Sequence, residues 1–510
     1  MKKVALFFPS PFPFHRPWKG VPLSLLAISR ALDKEKYKVN IFSQFLNDDL
    51  EKDIINQTKD SLCLGITAMT GFQIYDGLRI AKLAKAANPD LPIIWGGWHP
   101  SILPGQTLEN KYVDFVIKGQ GDWAFPELVS CLELKEDPGK IAGIGYKRGA
   151  KICFTQERPF ENINTLLSLP YYLVDVEKCL TETEYGQRTL SYISSYGCPF
   201  HCGFCVEQVV NKGGWTGLSA GRVVDEWEYL ADKYKIDSIA VYDSNFFVDN
   251  KRIHDICIGL IKRKVNLKWG NANGRVSQLV NYEPEIWEAM ERSGCKMILT
   301  GAESGSQTAL DLINKQMKVE EITKFTRLCK KYHIKVLYSF LVGLPWSKKY
   351  EENRRMVNDE YKRTLSLIDR LLKINKKNRF TYYLFLPYPG APLFERAVKL
   401  GLKVPRSLAG WSSYLVSPED GLNMVLKQKW ISSKQAREVA MLTQYVFGLM
   451  DPTYYPVLRS RVKGKTRKVL FAIAYKIGII LVRIRWKFKY FGVPIDYWFF
   501  TLVYKHGGLI

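Results

Sequence analysis

The sequence predicts an α/β chain of 510 residues with a mainly helical C-terminal region, and three observations carry that prediction. Short apolar runs alternate with stretches of helical spacing over residues 1–145, and the same alternation resumes over 188–395. Beyond residue 400 only helical patterns and a basic tail remain. Alternation of this kind means parallel strands, because a parallel neighbour is reached only by a crossover long enough to hold a helix. The chain therefore divides into a doubly wound, Rossmann-like domain at 1–145, a linker at 146–187, a strand–helix domain at 188–395 and a helical region at 396–510.

An apolar fraction of 46% is ordinary for a globular chain with substantial cores. The opening Met1-Lys2-Lys3-Val4-Ala5-Leu6-Phe7-Phe8-Pro9 has a short apolar run that ends in proline without a cleavage site, so it reads as a buried first strand, not a secretory signal.

In the first domain, strands are expected at 4–8, 39–42, 62–67, 93–95 and 115–117, with helices at 24–32 and 75–87 between them. Ligands of a doubly wound sheet bind at the carboxyl ends of its strands. The segments at those ends are Thr67-Ala68-Met69-Thr70, Gly96-Gly97-Trp98-His99-Pro100 and Gly119-Gln120-Gly121-Asp122. Paired glycines let backbone approach a ligand closely, and threonine hydroxyls can donate to it. Tight turns in any such sheet also need glycines. A histidine beside proline is more often a loop-stabilising donor than a metal ligand, which is the reading favoured for His99; His15 stands beside Pro17 and Trp18, and the sequence does not decide whether it belongs to the same site.

The central domain opens on Ser194-Ser195-Tyr196-Gly197-Cys198-Pro199-Phe200-His201-Cys202-Gly203-Phe204-Cys205. Three of the ten cysteines fall here within eight positions, spaced C-x3-C-x2-C. Three thiolates on one tight loop can bind three irons of a [4Fe–4S] cluster and leave the fourth open, whereas a closed zinc site wants a fourth protein ligand, for which His201 is the nearest residue. The remaining seven cysteines are dispersed and read as buried thiols. Strands follow at 190–194, 238–242, 267–271, 297–300, 335–340 and 382–385, with helices at 223–234, 285–293 and 320–332.

The cysteine loop, with an aromatic before its last Cys, resembles that of the radical S-adenosylmethionine (SAM) enzymes, and the segments that end the later strands resemble the same family in order. These are Asp243-Ser244-Asn245-Phe246, Asn271-Ala272-Asn273-Gly274-Arg275, Gly301-Ala302-Glu303-Ser304-Gly305-Ser306, Leu341-Val342-Gly343-Leu344-Pro345 and Leu386-Pro387-Tyr388-Pro389-Gly390, the last departing from the family only at Ala391. A doubly wound domain placed before such a loop resembles the cobalamin-binding class of that family, although Gln120 stands where the class usually has an acid.

This resemblance implies a partial (β/α)6 barrel with its chemistry at the C-terminal strand ends. It implies a [4Fe–4S] cluster on Cys198, Cys202 and Cys205, with SAM held by Phe204, Asp243, Asn245, Arg275, Glu303, Ser304, Val342 and Tyr388. It places cobalamin against Thr67, Thr70, Gly96, Gly97, His99, Gly119, Gln120 and Gly121. The first third has no Asp-x-His-x-x-Gly, so a corrin there would lack a histidine lower ligand. The implied activity is methylation of an unactivated carbon of a small-molecule or lipid-like substrate, using a 5′-deoxyadenosyl radical and methylcobalamin. An external electron donor of the flavodoxin or ferredoxin type is implied with it. An oxidase, cyclase or ring-rearranging enzyme of the same architecture would need the same cofactors. A non-catalytic corrin or iron–sulfur protein would leave Glu303 without a purpose. The transfer-RNA methylthiolating class is disfavoured, since residues 1–150 hold only Cys63 and Cys131.

Net charge is +24, and from residue 459 onward twelve Lys and Arg stand against Asp496 alone. Such a tail suits an anionic surface. Residues 469–482 are apolar apart from Lys476, too short a run to span a bilayer, which takes about 20 residues. The segment reads either as a helix lying in a membrane interface or as a buried helix with a solvated basic rim. No nucleic-acid module is visible, and Trp411-Ser412-Ser413-Tyr414 is similar to the short W-x-x-Y/F that follows the barrel in the cobalamin class. The expected location is the reducing cytoplasm, with the inner face of the membrane as a contact surface.

Overall fold

The computed structural model describes residues 1–12, 19–414, 428–450 and 464–491, with 455, 459, 462 and 496; His15 and its neighbours lie outside the described residues. The first domain is a seven-stranded sheet of β1 (Lys2–Phe8), β2 (Tyr37–Ser43), β3 (Ser61–Thr67), β4 (Ile93–Gly96), β5 (Phe115–Ile117), β6 (Ile144–Arg148) and β7 (Lys151–Phe154). Their order is β2-β1-β3-β4-β5-β6-β7. All pairings among the first five are parallel. Val4–Phe7 are fully buried, as a central parallel strand covered by helices on both faces must be.

The sheet does not stop at residue 145. The expected boundary falls inside β6, which pairs antiparallel with β5, and β7 pairs antiparallel with β6. Part of the expected linker is thus a hairpin that extends the sheet by two strands. No helical spacing separates these runs, so a tight reversal is the only connection the chain allows.

The central domain is built from β8 (Thr181–Thr183), β9 (Gly186–Tyr192), β10 (Ser195–Gly197), β11 (Trp215–Gly217), β12 (Ser238–Val241), β13 (Lys268–Gly270), β14 (Ala272–Asn273), β15 (Met297–Glu303), β16 (Lys335–Val342) and β17 (Arg379–Leu384). β9, β12 and β13 pair in parallel, with β8 antiparallel on the edge. β14, β15, β16 and β17 form a second parallel run. Asn271, at φ 57°, divides the third strand into β13 and β14. Counting that broken strand once gives the six strands of a partial barrel. On β16, Val336, Tyr338, Phe340 and Val342 are buried, while Leu337, Ser339 and Leu341 are half-exposed, the period of a strand with one face against helices.

The chain beyond the barrel returns to both domains. Trp411, fully buried, packs in one cluster with Ile80 and Trp95 of the first domain. Further on, the Trp430 indole donates to the Gly343 carbonyl (3.0 Å) and Gln428 to the Phe385 carbonyl, just beyond the C-terminal ends of the fifth and sixth barrel strands. The helix Lys465–Phe488 buries Phe471, Tyr475, Gly478 and Val482 along one side. It absorbs the apolar run and is neither wholly buried nor wholly exposed. Among the described residues no helix is long and apolar enough to cross a membrane.

Candidate active site

The cysteine loop hangs from a two-stranded hairpin, β10 against β11. Gly197 turns the chain into the loop at φ 82°, and a Cβ there would lie 2.0 Å from the Gly214 carbonyl oxygen, so only glycine fits. The loop is pinned from two sides. The Gly203 amide donates to the Ile313 carbonyl (2.7 Å), and the Leu393 amide donates to the Gly203 carbonyl (2.9 Å). Asn314 donates to the His201 carbonyl (2.9 Å), and the exposed His201 side chain closes no metal site.

Each of the three sulfurs has a nitrogen donor beside it. Arg275 Nη1 lies 3.3 Å from Cys202 Sγ, Asn245 Nδ2 lies 4.0 Å from Cys198 Sγ, and the Glu207 amide lies 3.5 Å from Cys205 Sγ. Burial pushes the Cys205 thiol up to about 12 and raises that of Cys198, so bare thiolates are unfavourable here without bound cations. Arg275 stacks on Phe200, its guanidinium carbon 4.1 Å from the ring centre, and its Nη2 is buried without a partner among the described residues. Three donor-supported sulfurs beside an unspent guanidinium nitrogen fit an iron–sulfur cluster with an anionic co-ligand.

A buried ion pair lies next to it. Glu303, at φ 60° on the end of β15, accepts from Lys315 Nζ at 2.7 Å, with both side chains almost wholly buried. The Lys315 ammonium is 5.8 Å from the centre of the Phe204 ring. Burial works against that ammonium, yet the Glu303 carboxylate and then Cys202 outweigh it and raise its pKa. Lys315 sits between Asn314 and Gln316, both at φ 50°, in a loop without periodicity. No sequence pattern distinguishes it from a surface lysine. Tyr388 is half-buried, and burial, with Cys205 adding, pushes its phenol up to about 12.

Three residues expected at SAM have other partners within the fold. Asp243 is buried and accepts from the Ser194 amide (2.7 Å), the Ser194 hydroxyl (2.7 Å) and the Ser195 hydroxyl (2.5 Å). Arg252 closes the same network on Ser194 (2.7 Å), so Asp243 anchors the root of the cysteine hairpin. The Ser304 hydroxyl accepts from the Ser306 amide (3.1 Å) and pairs with Thr364 (3.3 Å). Val342 is 1% exposed, and its carbonyl accepts from the Phe385 amide (2.8 Å). A polar or apolar residue at a strand end can turn to either side of the strand, and the neighbouring helix decides which.

Between the two domains lies a cavity of about 320 Å³. Thr67, Gly96, Gly97, Gly119, Gln120 and Gly121 line it from the sheet, and Ser195–Gly197, Tyr242 and Ser244 from the barrel. Six of the eight residues expected at the corrin thus share one wall. Gly97 is at φ 93°, and a Cβ there would meet Thr67 Oγ1 at 2.9 Å. The Gln120 amide, where an acid was the usual pattern, exchanges two hydrogen bonds with the Glu161 backbone (2.7 and 3.1 Å).

The other two, Thr70 and His99, are outside the cavity lining. They bond to each other at 3.0 Å, and the His99 ring lies 5.6 Å from Trp411, beneath the chain returning from the barrel. Burial lowers the His99 pKa to about 4, so the ring is neutral. A buried clasp ties the domains at the cavity wall itself, where Asp122 and Tyr196 both belong to the lining. Arg30 pairs with Asp122 (2.6 Å) and donates to the Tyr196 hydroxyl (3.2 Å), two residues before the first cluster cysteine.

Residues 16–129 match the family model for the B12 binding domain, and residues 192–357 match that for the radical SAM superfamily. The chain is 28% identical over 423 residues to an uncharacterized methyltransferase of Pyrococcus horikoshii, covering 82% of this chain and 85% of that one. It is 26% identical to the anaerobic magnesium-protoporphyrin IX monomethyl ester cyclase of Rubrivivax gelatinosus, covering 62% of this chain and only 58% of that protein's length. Its fold is similar to the solved cobalamin-dependent radical SAM enzyme OxsB with aqua-cobalamin bound, at a TM-score of 0.66 and 20% identity, over 94% of this chain and 72% of that one. The chain is a member of the cobalamin-binding radical SAM family of enzymes.

Proposed function

We propose that this enzyme methylates an unactivated carbon of a small-molecule or lipid-like substrate. The observation that carries the reading is the single cavity walled on one side by glycine loops of the sheet and on the other by the cysteine hairpin. When bound, the cluster with SAM supplies a 5′-deoxyadenosyl radical, and cobalamin supplies the methyl group.

In this reading residues 1–145 hold the corrin, 188–395 hold the cluster and SAM, and the region from 396 packs against both. Cys198, Cys202 and Cys205 bind iron. Arg275 offers its unpaired Nη2 to the SAM carboxylate, a charge-assisted contact. Asn245, beside Cys198, and the Lys315–Glu303 pair, beside Phe204, are the next candidates for the SAM pocket, with Tyr388 as a further aromatic. Among the described residues no histidine lines the cavity, so the corrin would be held by shape and close backbone approach. A flavodoxin- or ferredoxin-type donor reduces the cluster in a reducing cytoplasm.

The test is anaerobic incubation of the enzyme, loaded with cluster and corrin, with SAM and cell extract of its host. S-adenosylhomocysteine and 5′-deoxyadenosine should appear together. Deoxyadenosine without homocysteine product would favour the second reading, a ring-forming reaction, which the cyclase relative supports.

A further inference from the structure

The helix Lys465–Phe488 has two faces. Its inner residues are buried against the body, while Val469, Ile473, Ile477, Ile480, Ile484 and Phe488 are exposed, by 60% at Val469, 57% at Ile480 and 70% at Phe488. At about 100° per residue these six fall in one sector roughly 100° wide, opposite the buried side. Lys465, Lys476, Arg483 and Lys487 are all exposed and project along one edge of that sector, with Arg467 on the other edge. The helix contains no acidic residue. Arg485 and Lys489, by contrast, are paired with Asp496 and Asp369.

Soluble surfaces seldom expose an apolar strip this continuous. A strip of aliphatic side chains edged by exposed cations, without an acidic partner among the described residues, is complementary to a bilayer surface whose acyl boundary takes the apolar face while anionic headgroups meet the lysines and arginines. We propose that this face of the helix seats the enzyme on membranes rich in anionic lipid. Three or four of the cations sit at headgroup depth, and the helix lies parallel to the surface without entering it further. The proposal stands independently of the methyl-transfer reading, since it uses no residue of the candidate active site.

Co-sedimentation of the full-length, cluster-loaded protein with large vesicles tests it. The protein should pellet with phosphatidylglycerol vesicles, far less with phosphatidylcholine alone, and less again as salt rises. Replacing Ile473, Ile477 and Ile480 together by Glu should cut partitioning at least about tenfold with the cluster's absorption spectrum unchanged and the melting temperature little changed, because these side chains are exposed and lie outside the buried face of the helix. Lys476→Glu with Arg483→Glu should weaken binding mainly at low salt. Wild-type protein that stays in solution with phosphatidylglycerol vesicles overturns the proposal. So does a triple variant that pellets as the wild type does. A wild-type dimer that becomes a monomer in the triple variant, with no vesicle binding by either, would assign the face to a second copy of the chain instead.

Discussion

The mouth of the N-terminal sheet and the mouth of the barrel face each other across one cavity, yet they are made of opposite materials. The sheet side presents the glycines Gly96, Gly97, Gly119 and Gly121 among apolar side chains, with Thr67 and Gln120 as polar groups and Asp122 neutralised by Arg30. The barrel, beside its cysteine loop and outside the cavity lining, keeps a guanidinium, an ammonium and a carboxylate out of water, in Arg275, Lys315 and Glu303. Isolated charges are costly to bury, so those three persist only because they pair with one another, with the sulfurs and with bound groups. A broad, largely uncharged macrocycle is selected by shape and close backbone approach, whereas a small zwitterion on an iron–sulfur cluster is selected by charge. The two mouths should therefore fail differently when altered.

The largest effect is expected at the cluster. Cys202→Ala should abolish product formation and SAM cleavage, while corrin affinity, measured by absorbance titration, stays within about twofold because no sheet residue is touched. Next come the buried cations. Losing a charge-assisted contact costs about 1.5–3 kcal/mol, so Lys315→Met or Arg275→Met should lower kcat/KM for SAM by roughly 10- to 100-fold, again with corrin binding unchanged. Equal loss of corrin and SAM binding in either variant would contradict the division between the two sides.

On the sheet side the handles are conformational. His99 is neutral in the fold, its pKa lowered from 6.5 to about 4 by burial. The unfolded chain thus binds the extra proton between pH 6.5 and 4, so stability falls as pH falls through that window, by about 2 kcal/mol at pH 5. Urea midpoints at pH 7 and pH 5 measure this, and His99→Gln should flatten the difference. The smallest effect is expected for Gly97→Ala, which places a methyl at positive φ against Thr67 and should cost about 1 kcal/mol in stability and several-fold in corrin affinity, with the cluster spectrum untouched.

Most of the frame was legible in the sequence because its signals are local. The alternation of apolar runs marked all five parallel strands of the first sheet, and the cysteine spacing marked the loop that the Gly197 turn presents. The hairpin β6–β7 was missed because both strands are short and β7 has no buried residue, so the pair carries little apolar signal. Lys315 was missed because it stands in a loop whose only cue is a pair of residues that tolerate positive φ.

What this sequence determined by itself was chain-local: which segments are strands, where the thiols cluster and where the glycines turn. What only the tertiary structure decided was which side chains meet across long separations. Asp243 was claimed by Ser194 and Arg252, His99 was sealed under Trp411 three hundred residues away, and Lys315 was brought to Glu303 and Phe204. The reason is physical. Periodicity fixes the face on which a residue lies, but a buried polar group takes whichever partner the packing of distant elements brings within hydrogen-bond reach, and that packing is a property of the whole core.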